Sequence, residues 1–189
     1  MSVAEPKSLA DHFLIAMPTL DDPNFSRTVT YLCDHGGEGA MGLVINRPLD
    51  VTLGELLAQI DVPVSDPALA AVPIFQGGPV QGERGFVLHR PLGDWEATLA
   101  VTDEIGVTMS RDIIEAIARG EGPERYLITL GYAGWGSQQL EDEMAANAWL
   151  SGPASAEILF DWPADQRWDA AAALLGVDLS LLSTDVGHA

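Results

Sequence analysis

The apolar residues of this chain switch between a period of two and a period near 3.6, and the switches mark out its elements. His12 to Met17 is a short apolar run closed by Pro18, as in a strand. Leu20-Asp21-Asp22-Pro23-Asn24 carries turn chemistry. From Phe25 to Cys33 β-branched and aromatic residues predominate. Val29, Tyr31 and Cys33 fall on one strand face, with Thr28, Thr30 and Leu32 on the other. His35-Gly36-Gly37-Glu38-Gly39 predicts a turn. Met41 to Ile45 predicts a second strand, ended by Asn46-Arg47-Pro48, so that the two form a hairpin with a longer loop.

Thr52-Leu53-Gly54-Glu55 matches a capping box, and Leu53, Leu56, Leu57 and Ile60 then share one helical face. Residues 61–71 read as a loop. Strands are predicted at 72–75 and 84–90, with a further pair at 97–101 and 104–107. Ser110 or Thr108 caps a helix with Ile113, Ile114 and Ile117 inward and Gly120 as its stop. Arg125 to Leu130 reads as a strand, and Gly131 to Gly136 as a strand-to-helix turn. Ser137 caps a helix to about Leu150, whose inner face is Leu140, Met144 and Ala148. Ala156 to Phe160 reads as a strand, and Asp165 to Leu175 as a helix ended by Gly176. Strands lead the first half, and about four helices accompany a mixed sheet. No linker divides the chain, so the pattern predicts an α+β fold with residues 1–189 as one domain.

Charge narrows the partners. The 189 residues carry a formal net charge of −19, and 47% of them are hydrophobic. The chain can bury a sizeable core. Nucleic acid and anionic membranes bind through Lys and Arg, so neither is an expected partner. The apolar stretch Phe13 to Met17 is too short for a signal peptide, and Ala170 to Val177 too short to span a bilayer. A lone cysteine without a leader points to the cytoplasm.

Several stretches carry possible chemistry. Gly37 to Gly42 spells a dinucleotide fingerprint, but a strand follows it where the phosphate site needs a helix N-terminus, so it reads as a hairpin loop. Cys33-Asp34-His35 is the most reactive-looking triplet. Cys33 is either a packed strand thiol or, with His35 folded back on it, a weak catalytic or redox candidate. His12, His35, His89 and His188 share no metal spacing, and His188 sits in a C-terminal tail expected to be solvated. No metal or other cofactor is expected. Arg27, Arg47, Arg84 and Arg90 lie at strand ends or beside Gly/Pro turns. They either tie loops to internal carboxylates or line a pocket for a small anion. The candidate ligand-binding residues are Arg27, Asn46, Arg47, Gly77, Gly78, Arg84 and His89. The glycine-aromatic stretch Gly131 to Gly136 is either a site or a packing corner for Trp135.

A resemblance enters on longer motifs. FLIAMP, the spaced Phe25 to His35 stretch, GAMGLVINRPL, GGPV followed by RGFVLH, SRD before a helix, GYAGWGSQQLEDEM and the terminal GHA resemble the AlgH/YqgE family of bacterial proteins. The resemblance covers nearly the whole chain. It implies a cytosolic protein with a partly barrel-like sheet and an association with transcriptional regulation. It supplies no catalytic residue. With no metal spacing, no nucleophile–base pair and no phosphate loop, but Gly-rich turns beside arginines, the leading expectation is a protein that binds a small molecule or a protein in a regulatory role rather than catalysis. The alternatives are an enzyme acting on a small anionic substrate, or a thiol redox sensor through Cys33. Neither the pattern nor the resemblance gives an oligomeric state. The charge predicts that a gel-shift titration at low salt finds no duplex binding; tight binding that weakens steeply with added salt would contradict it.

Overall fold

The computed structural model describes residues 8–183; His188 and the terminal motif around it lie outside them. The strands are β1 (His12–Ala16), β2 (Val29–Gly36), β3 (Gly39–Val44), β4 (Pro48–Thr52), β5 (Pro73–Gln76), β6 (Val80–Arg90), β7 (Thr98–Ala100), β8 (Gly106–Thr108), β9 (Arg125–Gly136) and β10 (Trp149–Pro153). The helices are α1 (Leu53–Gln59), α2 (Pro67–Ala70), α3 (Arg111–Ala118), α4 (Gln139–Ala145), α5 (Ala156–Phe160), α6 (Arg167–Ala173) and α7 (Leu179–Ser183). Strand order runs β10-β1-β2-β3-β9-β6-β8-β7, with β4 on β5 and β5 on β9. Only the β5–β9 pairing is parallel among the described strands. The result is a mixed α+β architecture with a curled half-barrel sheet, and the four longest helices are the four the pattern predicts. No helix among the described residues is long and apolar enough to cross a membrane.

Alternation along β2 sets two cores. Val29, Tyr31 and Cys33 join Phe13, Ile15 and Leu43 on one face. Leu32 joins Leu14, Trp135 and Trp149 on the other. A third cluster lies under α1 and α3, where Leu53, Leu57, Ile113 and Ile117 meet Val87 and Ile128. Both faces of β2 are therefore covered, which explains why Val29 to Cys33 are buried without a break, Thr30 included. Thr52 caps α1 by accepting from the Glu55 amide at 3.4 Å.

Several predicted elements differ, among them residues 61–71, expected as a loop, which hold α2 with Asp66 as its cap. Phe25 to Arg27 is a turn, with Arg27 in the left-handed region at φ 58°, and β2 begins at Val29. The β2–β3 loop is tight: Gly36 faces Gly39, leaving only Gly37 and Glu38 between them. Gly131 to Gly136 is not a turn; β9 runs straight through it, because its second half finds a partner in β3. α4 stops at Ala145, since Asn147 takes φ 64°, and Trp149 opens a strand the pattern does not predict. Ser137 does not cap α4 but donates its hydroxyl to the Gly37 carbonyl at 2.9 Å. Ala156–Phe160 is a helix, capped by the Ser155 hydroxyl on the Ile158 amide. A five-residue apolar run has no readable period, and only the cap distinguishes helix from strand.

Thr30 is fully buried, and its hydroxyl finds no partner among the described residues. Thr30→Val keeps the shape and removes the unpaired group. Urea unfolding should show the variant more stable by about 1 kcal/mol.

Candidate functional site

The site is built by a defect in β6. Val80 pairs with Tyr132, and pairing resumes at Gly85 with Leu130. Between these pairs β9 advances two residues and β6 five, so Gln81 to Arg84 bulge out of the sheet. Gln81 takes φ 48°, and all four residues are exposed. Bulges re-aim side chains beside sites. Here Arg84 turns over the Phe86 ring, its guanidinium carbon 5.8 Å from the centroid, and donates to Gln81 at 3.2 Å.

Below it opens a groove of about 550 Å³. Met41, Phe86, Met109 and Tyr132 contribute apolar lining, and Asp34 stands with Arg84 among its polar groups. Phe86 and Tyr132 pack edge to face at 5.6 Å. Among the described residues Arg84 pairs with no carboxylate, and the Tyr132 hydroxyl has no hydrogen-bond partner. A guanidinium without a carboxylate partner and a phenol without a hydrogen-bond partner, above an apolar floor, suit an anion with an apolar body.

The other predicted ligand residues do not meet there. Asn46 accepts from the Val29 amide at 2.9 Å and donates to the Arg27 carbonyl at 2.9 Å. Arg47 donates to the carbonyls of Pro23, Asn24 and Ser26, tying its loop to backbone rather than to a carboxylate. Burial pushes the Arg47 pKa below its ordinary value. Arg27 lies 4.8 Å over the Trp168 ring, in a separate cleft with Asp169. A Cβ on Gly77 would come 2.3 Å from the Gly131 carbonyl oxygen, and one on Gly78 2.2 Å from the Tyr132 backbone. These two glycines let β5 run against β9.

His89 is fully buried. Its Nδ1 lies 3.0 Å from the Pro91 carbonyl and its Nε2 2.6 Å from the Thr108 hydroxyl, which in turn meets the Thr98 hydroxyl at 2.7 Å. Burial pushes the imidazole pKa down, which favours the neutral ring. A carbonyl only accepts, so Nδ1 carries the proton and Nε2 accepts from Thr108, leaving Thr98 to donate to Thr108.

Cys33 is the extra residue of a second bulge, since Leu32 pairs with Gly42 and Asp34 with Met41. The thiol is 2% exposed, with Sγ 3.6 Å from the Tyr31 carbonyl. Burial, and then the Asp34 charge, push its pKa well up. His35 accepts from the Leu9 amide at Nδ1 and donates from Nε2 to Glu141, both at 2.9 Å. The imidazole is committed to α4 and the N-terminal segment rather than to the sulfur. That bond holds the Glu141 carboxyl below its usual range. Among the described residues no group of three metal-ligating side chains comes together.

The motifs that carry these contacts also place the chain among known proteins. The sequence model of the AlgH-like family matches residues 13–180. The chain belongs to the AlgH-like family. Among its relatives, a UPF0301 protein of Nitrosococcus oceani is 60% identical over 179 residues, 95% of this chain and 96% of that one. One from Thioalkalivibrio sulfidiphilus is 58% identical over 182 residues, 96% and 97% of the two chains. The solution structure of the AlgH protein from Pseudomonas aeruginosa is 52% identical, with a TM-score of 0.80 and all of both chains covered. A crystal structure from Corynebacterium diphtheriae shares the fold alone, at 19% identity and TM-score 0.70, over 97% of this chain and 94% of that one.

In this AlgH-like chain two parts of the groove are visible in the sequence, Arg84 and the Gly131 to Gly136 stretch that supplies Tyr132 and Trp135, whereas Met41, Phe86, Met109 and the place of Asp34 beside them are not. Strand alternation places Arg84 with Phe86 and Tyr132 with Gly134. What it lacks is the β6–β9 register that sets the two pairs side by side. The buried thiol gives a measurable outcome. Native Cys33 should react with a thiol reagent at least about tenfold more slowly than in the denatured chain from pH 5 to 9, because a raised pKa keeps the thiolate scarce. Fast native labelling below pH 7 would mean an exposed thiolate instead.

Proposed function

We propose that this protein binds a small organic anion with an apolar or aromatic body in the groove beside the β6 bulge, and that occupancy serves a regulatory role. The observation that carries the reading is Arg84. In a chain of net charge −19, this guanidinium stands free of any carboxylate among the described residues and hangs over Phe86. Arg84 and the Tyr132 hydroxyl are two donors for one carboxylate, and the Met41–Phe86–Met109 floor takes the apolar part. Asp34 repels a second negative charge, so monoanions are preferred over dianions. Binding is favoured over catalysis because the groove pairs no nucleophile with a base. Cys33 and His89 are both buried, and His35 is held by Leu9 and Glu141. The regulatory part rests on the resemblance to the AlgH/YqgE proteins. Within it, residues 1–189 act as one domain in the cytoplasm, without direct nucleic-acid contact.

A panel of aromatic and aliphatic carboxylates, screened by thermal unfolding and by the fluorescence of Trp135 at the groove, tests the reading. A binder at 100 times its Kd stabilises the fold by about 2.7 kcal/mol. Arg84→Gln should weaken that binder about tenfold or more, and Arg84→Lys should recover part of the loss. Undiminished affinity in Arg84→Gln would overturn the assignment.

A further inference from the structure

The bulge has a second side. Phe86 faces the groove, so Val87, one residue on, faces the opposite side of the sheet. There a cavity of about 250 Å³ lies between the sheet, α1 and α3. Much of its wall is apolar: Leu56 of α1 and Ile60 at the C-terminal cap of that helix, Met109, Ile114 of α3, and Val87, Ile128 and Leu130 of the sheet. A dry cavity of roughly 150 Å³ accommodates benzene, so this one accepts a ring or a branched chain with atoms to spare.

The polar groups around it narrow the ligand. The Thr108 hydroxyl is engaged by His89 and Thr98. The Ser110 hydroxyl donates to Asp112 and accepts from the Ala97 amide. Arg111 donates to the Ile60 carbonyl at 2.8 Å and meets Glu115 at 3.5 Å, which offsets its charge. Glu83 remains. It sits on the bulge beside Arg84, is exposed, and has no ion pair or hydrogen bond among the described residues. One unpaired carboxylate at a cavity whose other polar groups are already engaged calls for a cation carried on an apolar body, and the −19 net charge draws cations toward it.

We propose that this cavity is a second binding site, for a compact apolar ammonium whose body lies among Leu56, Ile60 and Ile114 and whose charge meets Glu83. The site shares Met109 with the anion groove but is otherwise lined by different residues, and its charge preference is opposite.

The test titrates the full chain with isopentylamine and benzylamine, following the methyl resonances of Ile60, Val87 and Ile114 by NMR, with the matching alcohols and carboxylates as controls. The amines should shift those methyls saturably and bind about tenfold tighter than the alcohols. Glu83→Gln should bring amine affinity down to that of the alcohol, while Arg84→Gln leaves it within about twofold. Ile114→Phe fills the cavity and should abolish the shifts at Val87. Its circular dichroism and melting profile verify folding, and Glu83→Gln carries the test where that variant unfolds. Shifts centred on Phe86 and Tyr132, amine affinity unchanged in Glu83→Gln, or no saturable shift at millimolar amine would each overturn the proposal. Loss of carboxylate binding in Arg84→Gln bears on the groove alone, so the two assignments fail separately.

Discussion

Strand β9 is hydrogen-bonded to β3, β5 and β6, and those three contacts are possible only where its neighbours bring backbone against backbone. A Cβ on Gly39 would lie 2.2 Å from the Trp135 carbonyl oxygen, and one on Gly131 2.5 Å from that of Gly78. Gly77 and Gly78 face the same limit. A single added methyl at these points would push apart strands that close the half-barrel. Interior backbone cannot move aside without losing its ladder bonds, which makes these positions costlier than ordinary strand glycines. The anion groove inherits its shape from this crossing, because the register of β6 on β9 sets where the bulge leaves the sheet.

A carboxylate locks the far end of the same strand. Glu143 Oε1 accepts from the indole nitrogens of both Trp135 and Trp149, each at 3.0 Å, and its other oxygen takes the Gln139 amide at 3.0 Å. One side chain of α4 thus joins β9 to β10. Phe25 closes the cluster, with its ring 5.9 Å from Trp135 and 5.4 Å from Trp149. Two buried-facing indole donors each need an acceptor, and sharing one carboxylate satisfies both. This explains why the glycine-aromatic stretch and the acidic helix after it occur as a block: Gly131 admits the Gly78 backbone, and the acid holds the aromatics.

The local half of this architecture is legible in the sequence. The capping box at Thr52, the Ile113 and Ile117 stripe of α3, and the alternation along β2 each depend on residues a few positions apart. What is not legible depends on distant partners. Gly131 to Gly136 has turn composition and becomes strand only because β3 arrives beside it. Trp149 opens a strand because β1 needs an edge partner. Ala156–Phe160 carries no period, and its Ser155 cap decides its state. At the site, Arg84 is visible as a cation at a strand end. Phe86 and Tyr132 look like core aromatics until the β6–β9 register places them together. The bulge is invisible for the same reason, since no residue in Gln81 to Arg84 encodes the pairing on either side of it.

The pairing of β1 with β10 sets the order of assembly. His12 lies opposite Pro153, and Ala16 opposite Trp149, so β1, the first of the described strands, acquires one of its two neighbours only when β10, the last of them, exists. During synthesis β1 waits with one edge open, and Leu14 and Ala16 lack Trp149 from their cluster. Closing so long a separation costs chain entropy, and completion of the sheet waits at least until Pro153 has been made. Until then β1 presents an apolar edge suited to mispairing. The interval between making β1 and making β10 is thus when this chain is most exposed to aggregation, and when a chaperone that shields open strand edges would help it most.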